Sequence, residues 1–360
     1  MQQINPVEYD YLLNLKINNL EKIFSCISLP AFEIYKSETL HFRMRAEFRI
    51  WHKNNEVFYA MNHPDKKTPY IIQEFPIGSK KINELMAPLL LEINKYNILK
   101  NKLFSIEFLT TLSGDTAVTL IYHTPVGEDW SKEATNLHMK FKINIIGRSR
   151  KKKLIIGHDY VVEKLPIDGT DYYYKQIENG FTQPNARINQ AMLSWTLRQT
   201  EKCGDDLLEL YCGNGNFTCV LSKNFKKILA TEVSKASVNA AHFNLEKNNI
   251  ENVTICRMSS EEISLAINKV RKFRRLKNID LNSYKLNTIF VDPPRVGLDE
   301  KTLNLLKKFE NILYISCNPK SLQENIHKIS DTHSIKSFAV FDQFPYTEHL
   351  ECGVFLQSKN

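Results

Sequence analysis

No stretch of the 360-residue sequence approaches twenty consecutive apolar residues, the length that a membrane-spanning helix needs. The opening MQQINPVEYDYLL lacks the basic and apolar regions of a signal peptide, so the expected location is the cytoplasm, with no membrane partner. Cysteine occurs at 26, 203, 212, 219, 256, 317 and 352, but no two of these form a CxxC pair. An odd, scattered set of this kind fits neither a disulfide framework nor a four-cysteine zinc or iron-sulfur site, and no metal is expected. Internal repeats and low-complexity segments are also missing.

What remains is an ordinary globular composition, 42% hydrophobic and 24% charged, with aromatics at 11%. The length suggests two domains of roughly 150 to 200 residues. A net charge of +8 with pI near 8.9 favours a polyanionic partner through phosphate contacts and counterion release.

The two halves differ in pattern. Residues 7–25 place Leu12, Leu13, Ile17, Leu20, Ile23 and Phe24 at helical spacing. In HFRMRAEFRIW the apolar Phe42, Met44, Ala46, Phe48 and Ile50 alternate with His41, Arg43, Arg45, Glu47 and Arg49, which predicts a strand with one basic face. LFSIEFLTTLSGDTAVTLIYH reads as a hairpin turning at Ser113, Gly114 and Asp115, and residues 154–177 add short strands, so the first half is α+β. From about residue 180 apolar strands alternate with amphipathic helices, the pattern of a doubly wound parallel sheet. Its strands are expected at 207–210, 227–231, 253–257, 288–291 and 312–316, with two closing strands joined by a turn around Pro345.

Three constellations carry chemistry. DLLELYCGNGNFTCVLSK runs a strand into a loop with Gly213 and Gly215, where backbone can approach a ligand closely and a helix start favours negative charge. Thr218 stands where the dinucleotide fingerprint has its third glycine, which weakens a nicotinamide reading. Glu232, at the tip of the next strand, can accept hydrogen bonds from both ribose hydroxyls of an adenosine cofactor, and with Glu209 the pattern suits S-adenosylmethionine. TIFVDPPRVGLD delivers Asp292 to a strand's C-terminal end, the edge where open α/β sheets bind ligands. Amino-group methyltransferases follow a similar Asp/Asn-Pro-Pro with an aromatic; Arg295 stands there instead.

ILYISCNP brings Cys317 to the same edge. Most cysteines are small buried hydrophobes, and Cys203, Cys212, Cys219, Cys256 and Cys352 are read that way. Cys317 is singled out because the C5 carbon of uracil is too weak a nucleophile to attack a sulfonium methyl unaided, whereas thiolate addition at C6 places electron density at C5. A base must then remove the C5 proton, and Glu351 in EHLECGV is the candidate.

Together FTQPN (181–185), LLELYCGNGNFT (207–218), ATE (230–232), FVDPPR (290–295), ISCNP (315–319) and HLECGV (349–354) resemble the RNA uracil-C5 methyltransferase family. HFRMRAEFRIWH and FDQFPYTEHLECGV bring the likeness nearest to its bacterial branch acting on tRNA position 54 in the T-loop. The resemblance implies an α/β fold: a Rossmann-like S-adenosylmethionine-dependent methyltransferase domain at 181–360, preceded by a smaller α+β RNA-binding domain at 1–180. It implies Cys317 as nucleophile and Glu351 as proton acceptor. It also implies that Gln183, Tyr211, Asn216, Glu232 and Asp292 line the cofactor site; of these, only Glu232 and Asp292 are placed there by residue pattern alone.

The substrate so implied is the T-arm of tRNA, with RNAs carrying T-loop mimics such as tmRNA beside it, and the enzyme is expected to be a monomer. Members that modify ribosomal RNA commonly carry an OB-type domain and a four-cysteine iron-sulfur motif. Cys26 is the only cysteine before residue 200, so that cluster cannot be built, and the ribosomal branch becomes the alternative. A binding role that remodels the tRNA elbow without chemistry is a second alternative, and a nicotinamide oxidoreductase a third. For RNA contact the leading candidates are Arg43, Arg45 and Arg49, followed by the runs GRSRKKK (147–153) and VRKFRRLK (270–277), with Phe104, Phe108 and Phe181 as stacking platforms.

Overall fold

The structure, a computed structural model, describes residues 4–63 and 68–359. Among these residues the chain divides into two compact units. One is built chiefly from Glu38–Lys164 and Gln176–Ala186, the other from Glu8–Ser37, Leu165–Lys175 and Arg187–Asn360. No helix of the described residues is long and apolar enough to cross a membrane.

Helix α1 (Tyr9–Ile23) and strand β1 (Phe32–Tyr35) open the chain and belong to the second unit. This departs from a single boundary at residue 180, and the reason is packing. Leu13, Ile17 and Leu20 of α1, followed by Phe24, enter the second unit's core, and β1 pairs in parallel with a strand some three hundred residues later.

The first unit follows with β2 (Arg45–Lys53), β3 (Glu56–Asn62), β4 (Pro69–Ile71), α2 (Lys80–Lys95), α3 (Asn97–Lys100), β5 (Leu103–Thr110), β6 (Thr116–Tyr122), α4 (Glu128–Phe141), β7 (Asn144–Ser149) and β8 (Lys152–Ile156). Its seven strands form one sheet in the order β4-β3-β2-β5-β6-β7-β8. Ala46, Phe48 and Ile50 of β2 enter a core with the buried faces of α2 and α4, as the alternation predicts. The hairpin at 113–115 joins β5 and β6 as expected.

Strands β9 (Tyr160–Ile167) and β10 (Thr170–Ile177) pair with each other, and the chain crosses between units within them. The second unit continues with α5 (Ala186–Thr200), β11 (Asp206–Leu210), α6 (Asn216–Leu221), β12 (Lys227–Thr231), α7 (Lys235–Lys247), β13 (Val253–Cys256), α8 (Ser260–Ile267), β14 (Leu286–Val291), α9 (Glu300–Leu306), β15 (Asn311–Ser316), α10 (Pro319–Ile329), β16 (His333–Phe341) and β17 (Glu351–Ser358). The eight-stranded sheet has the order β1-β16-β17-β15-β14-β11-β12-β13. Strands β11 to β15 run parallel to one another, while β17 inserts antiparallel between β15 and β16. The order reverses between β11 and β14, which opens a crevice at their C-terminal ends.

Candidate active site

Strand register fixes most of the site. Val291 on β14 pairs with Tyr314 on β15, so Asp292 emerges beside the last residues of β15. On the other side Ser316 pairs with Cys352 across the antiparallel ladder. One step beyond that pair, Cys317 therefore faces Glu351. Residues directly opposite in an antiparallel pair share a face of the sheet, about 5 Å apart. The same face at Gly353 has no room for a Cβ, which would meet the Trp195 ring of α5 at 2.7 Å; glycine there lets α5 close down beside Glu351.

All three acidic groups are raised, chiefly by burial. Burial lifts Cys317 first, then the charges of Glu351 and Asp292, while the guanidinium of Arg295 opposes them; the thiol is pushed up to about 11. Glu351 is 4% exposed, and burial followed by the charge of Asp292 holds its carboxyl well above the usual range. Asp292 is half-buried and also shifted upward by desolvation. Cys317 is itself half-exposed, unlike the buried Cys212, Cys219, Cys256 and Cys352.

The turn carrying Arg295 is docked on α10. Asn318 Nδ2 and Ser321 Oγ donate to the Arg295 carbonyl at 2.9 and 3.2 Å, and Leu298 N donates to Asn325 Oδ1 at 2.9 Å. Gly297 has φ +80°, and a Cβ there would meet Asn325 Oδ1 at 2.9 Å, so both backbone and space require glycine. Arg295 Nη2 donates to His349 Nδ1 at 3.1 Å. In the sequence Arg295 argues only against amino methylation, and nothing singles out His349; neither residue carries a spacing signal, because the turn and the segment before β17 meet only in the fold.

The loop after β11 forms a cradle. Tyr211, Gly213 and Gly215 all have positive φ, and a Cβ at Gly213 would meet nothing within 4 Å, leaving that backbone open to an approaching ligand. Glu232, at the end of β12, accepts from Gly213 N at 3.1 Å through one oxygen and from Ser234 N at 2.7 Å through the other. Its carboxylate is thereby oriented, and each oxygen keeps a lone pair for a hydroxyl. Asn216 and Asn189 of α5 exchange amide hydrogen bonds at 2.8 and 2.9 Å, so each still has one N–H and one lone pair to offer. Tyr211 donates its hydroxyl to Ser260 Oγ at 2.7 Å. These residues suit an adenosine cofactor. Glu209 does not join them: it is 0% exposed, with neither carboxylate oxygen in a geometric hydrogen bond, although the hydroxyl of Thr218 lies close enough to temper its upward shift. Gln183 belongs to the first unit, where Met44 N donates to the Pro184 carbonyl at 2.8 Å and Arg43 bridges to Asn185.

The basic face of β2 is only partly a surface. Arg45 donates to the Glu107 carboxylate and to the carbonyls of Glu178 and Gly180, which consumes its guanidinium within the first unit. Arg43 is half-buried, its Nε donating to the Arg45 carbonyl at 2.9 Å. Arg49 is exposed and lies 5.1 Å over the Phe104 ring. Phe108 is buried in the first unit's core against Phe48 and Tyr59, so it is no stacking platform, whereas Phe181 is 77% exposed. In the run at 147–153, Arg148 and Lys153 both pair with Glu178. In the run at 270–277, Arg271 and Lys272 are exposed and line a cavity of about 570 Å³ with Phe273 and Leu276.

Residues 8–359 match the family described as tRNA (Uracil-5-)-methyltransferase. The chain is 51% identical to a tRNA/tmRNA (uracil-C(5))-methyltransferase of Cellvibrio japonicus, over 98% of this chain and 96% of that protein. It is 52% identical to the protein of the same name from Saccharophagus degradans, over 99% and 98%. Among solved structures, the tRNA (uracil-54, C5)-methyltransferase of Pyrococcus abyssi, in complex with S-adenosyl-L-homocysteine, shares the fold with a TM-score of 0.75 at 19% identity, covering 97% of this chain and 83% of that one. With a family match over nearly its whole length and relatives at half identity, the chain belongs to the tRNA (uracil-5-)-methyltransferase family.

Proposed function

We propose that the chain methylates C5 of the T-loop uridine at tRNA position 54, and of the corresponding uridine in tmRNA, with Cys317 as nucleophile and Glu351 as base. The observation that carries this assignment is the register that sets Cys317 opposite Glu351 at the edge where Asp292 emerges. S-adenosylmethionine, when bound, supplies an electrophilic methyl group and a positive charge. Glu232 would hold its ribose, with Tyr211, Asn216 and Asp292 completing the cofactor site.

The residues then act on the base in order. The Cys317 thiolate adds to C6, forming a C–S bond and moving the C5=C6 electron pair toward C5 and O4. C5 then takes the methyl group, whose bond to the sulfonium sulfur would break and leave its electron pair on that sulfur. Glu351 removes the remaining C5 proton, its electron pair restores the C5=C6 bond, and the C6–S bond breaks to return the thiolate. A T-loop uridine must leave its stack to reach the site, at a cost of a few kcal/mol that phosphate contacts can offset.

A T-arm hairpin with 5-fluorouridine at the target tests the assignment, since fluorine cannot leave C5 as a proton does. An SDS-stable adduct between protein and RNA is expected with wild type and none with Cys317→Ala. An adduct that survives in Cys317→Ala would overturn the nucleophile.

A further inference from the structure

Lys16 stands out among the described lysines and arginines because it is buried, at 8% exposure. It lies on the face of α1 that carries Leu13, Ile17 and Leu20 into the core, where helix and packing alone would favour an apolar side chain. Its ammonium instead donates to Asp342 Oδ1 at 2.7 Å and to the Phe344 carbonyl at 2.9 Å. Asp342 is more deeply buried still, at 1% exposure.

The place of this pair gives it meaning. Asp342 directly follows Phe341, the last residue of β16 and the register partner of Glu351. The connection 342–350 thus begins at the ion pair and ends at Glu351. Midway along it Tyr346 has φ +62°, a strained value for a tyrosine, and its ring meets Tyr9 of α1 edge-on at 6.1 Å. Near its end His349 accepts the hydrogen bond from Arg295. Helix α1 therefore grips, at its foot and middle, the segment that delivers Glu351.

Stability alone is a weak reason for such a pair, because apolar side chains of similar volume commonly serve a core as well; fixing one arrangement is the better-attested use of a buried polar group. A proton acceptor has to lie within hydrogen-bond reach of its proton, so an unheld connection would lose that geometry first. We propose that Lys16 is a positioning residue: by holding Asp342 and the Phe344 carbonyl it sets the place of Glu351, and it governs removal of the C5 proton rather than addition of Cys317. The inference rests on the reading of Glu351 as base.

The test compares Lys16→Met with Glu351→Gln on T-arm hairpins carrying uridine or 5-fluorouridine, in the presence of S-adenosylmethionine. Lys16→Met is expected to turn over uridine at least tenfold more slowly and to accumulate an SDS-stable adduct with ordinary uridine. It should form the 5-fluorouridine adduct within about threefold of the wild-type rate. If Glu351→Gln accumulates the uridine adduct and Lys16→Met does not, or if Lys16→Met loses both reactions in parallel or keeps wild-type turnover, the positioning role is overturned. If Glu351→Gln itself accumulates none, it is the base assignment that fails. Should Lys16→Met not fold, Lys16→Met/Asp342→Asn leaves no unpaired charge and carries the same comparison.

Discussion

As the proposed nucleophile Cys317 would react as a thiolate, yet burial and two neighbouring acids push its thiol up to about 11. Among the residues that influence it, Arg295 supplies the opposing charge, and removing that charge should raise the thiol further. Arg295→Gln is therefore expected to slow iodoacetamide alkylation of Cys317 at pH 8 several-fold, while Asp292→Asn, which deletes a raising charge, should speed it. While the thiol is mostly protonated, moving its pKa by one changes the thiolate fraction about tenfold. Mass mapping of the Cys317 peptide separates it from the exposed Cys26. A common direction for both variants would show that charge does not control the thiol. Sequence could nominate Cys317, Asp292 and Glu351, because strand ends and the electronics of C5 point to a thiol and carboxylates at that edge, but not the Arg295–His349 contact, whose two residues meet only through folding.

At the level of elements, local pattern was highly informative. The alternation of β2 placed Ala46, Phe48 and Ile50 in the core, and apolar runs bounded the parallel strands to within a residue or two. Pattern could not show what lies over the polar face of β2. Arg45 looks equivalent to Arg49 in an alternating strand, but Glu107 is on β5 and the carbonyls of Glu178 and Gly180 come from a segment more than a hundred residues away. The two arginines should consequently respond differently. Arg49→Ala is expected to weaken tRNA binding and lower the salt slope of log K by about one, as loss of one phosphate contact would, with the urea midpoint unchanged. Arg45→Ala should lower the urea midpoint, because it leaves the buried Glu107 carboxylate with only the more distant Arg148 and removes the donor to two carbonyls, at about 1–3 kcal/mol. Equal effects of the two on the salt slope would contradict this division of roles.

For the molecule as a whole, the early helix and strand join the later sheet through pairings such as Phe32 with Phe338, which no local pattern announces. Motif positions survived because the sheet edge collects strand ends regardless of where the chain enters. The sheet interior carries a cost that should be visible in global stability. Glu209 lies mid-strand on β11, fully buried, and desolvation raises its carboxyl to about 8, with the charge of Asp292 adding to the rise and Thr218 opposing it. A carboxyl raised in the folded state favours folding fully below its unfolded value near 4.5, and that contribution is lost as pH rises through about 8. The loss is on the order of 5 kcal/mol by linkage, at about 1.4 kcal/mol for each pH unit between the two values. Glu209→Gln cannot ionise, so its melting temperature should stay close to that of wild type at pH 4.5 and pull progressively ahead between pH 5 and pH 8.5. A difference independent of pH would mean that Glu209 already folds in as an ion, stabilised by partners beyond Thr218.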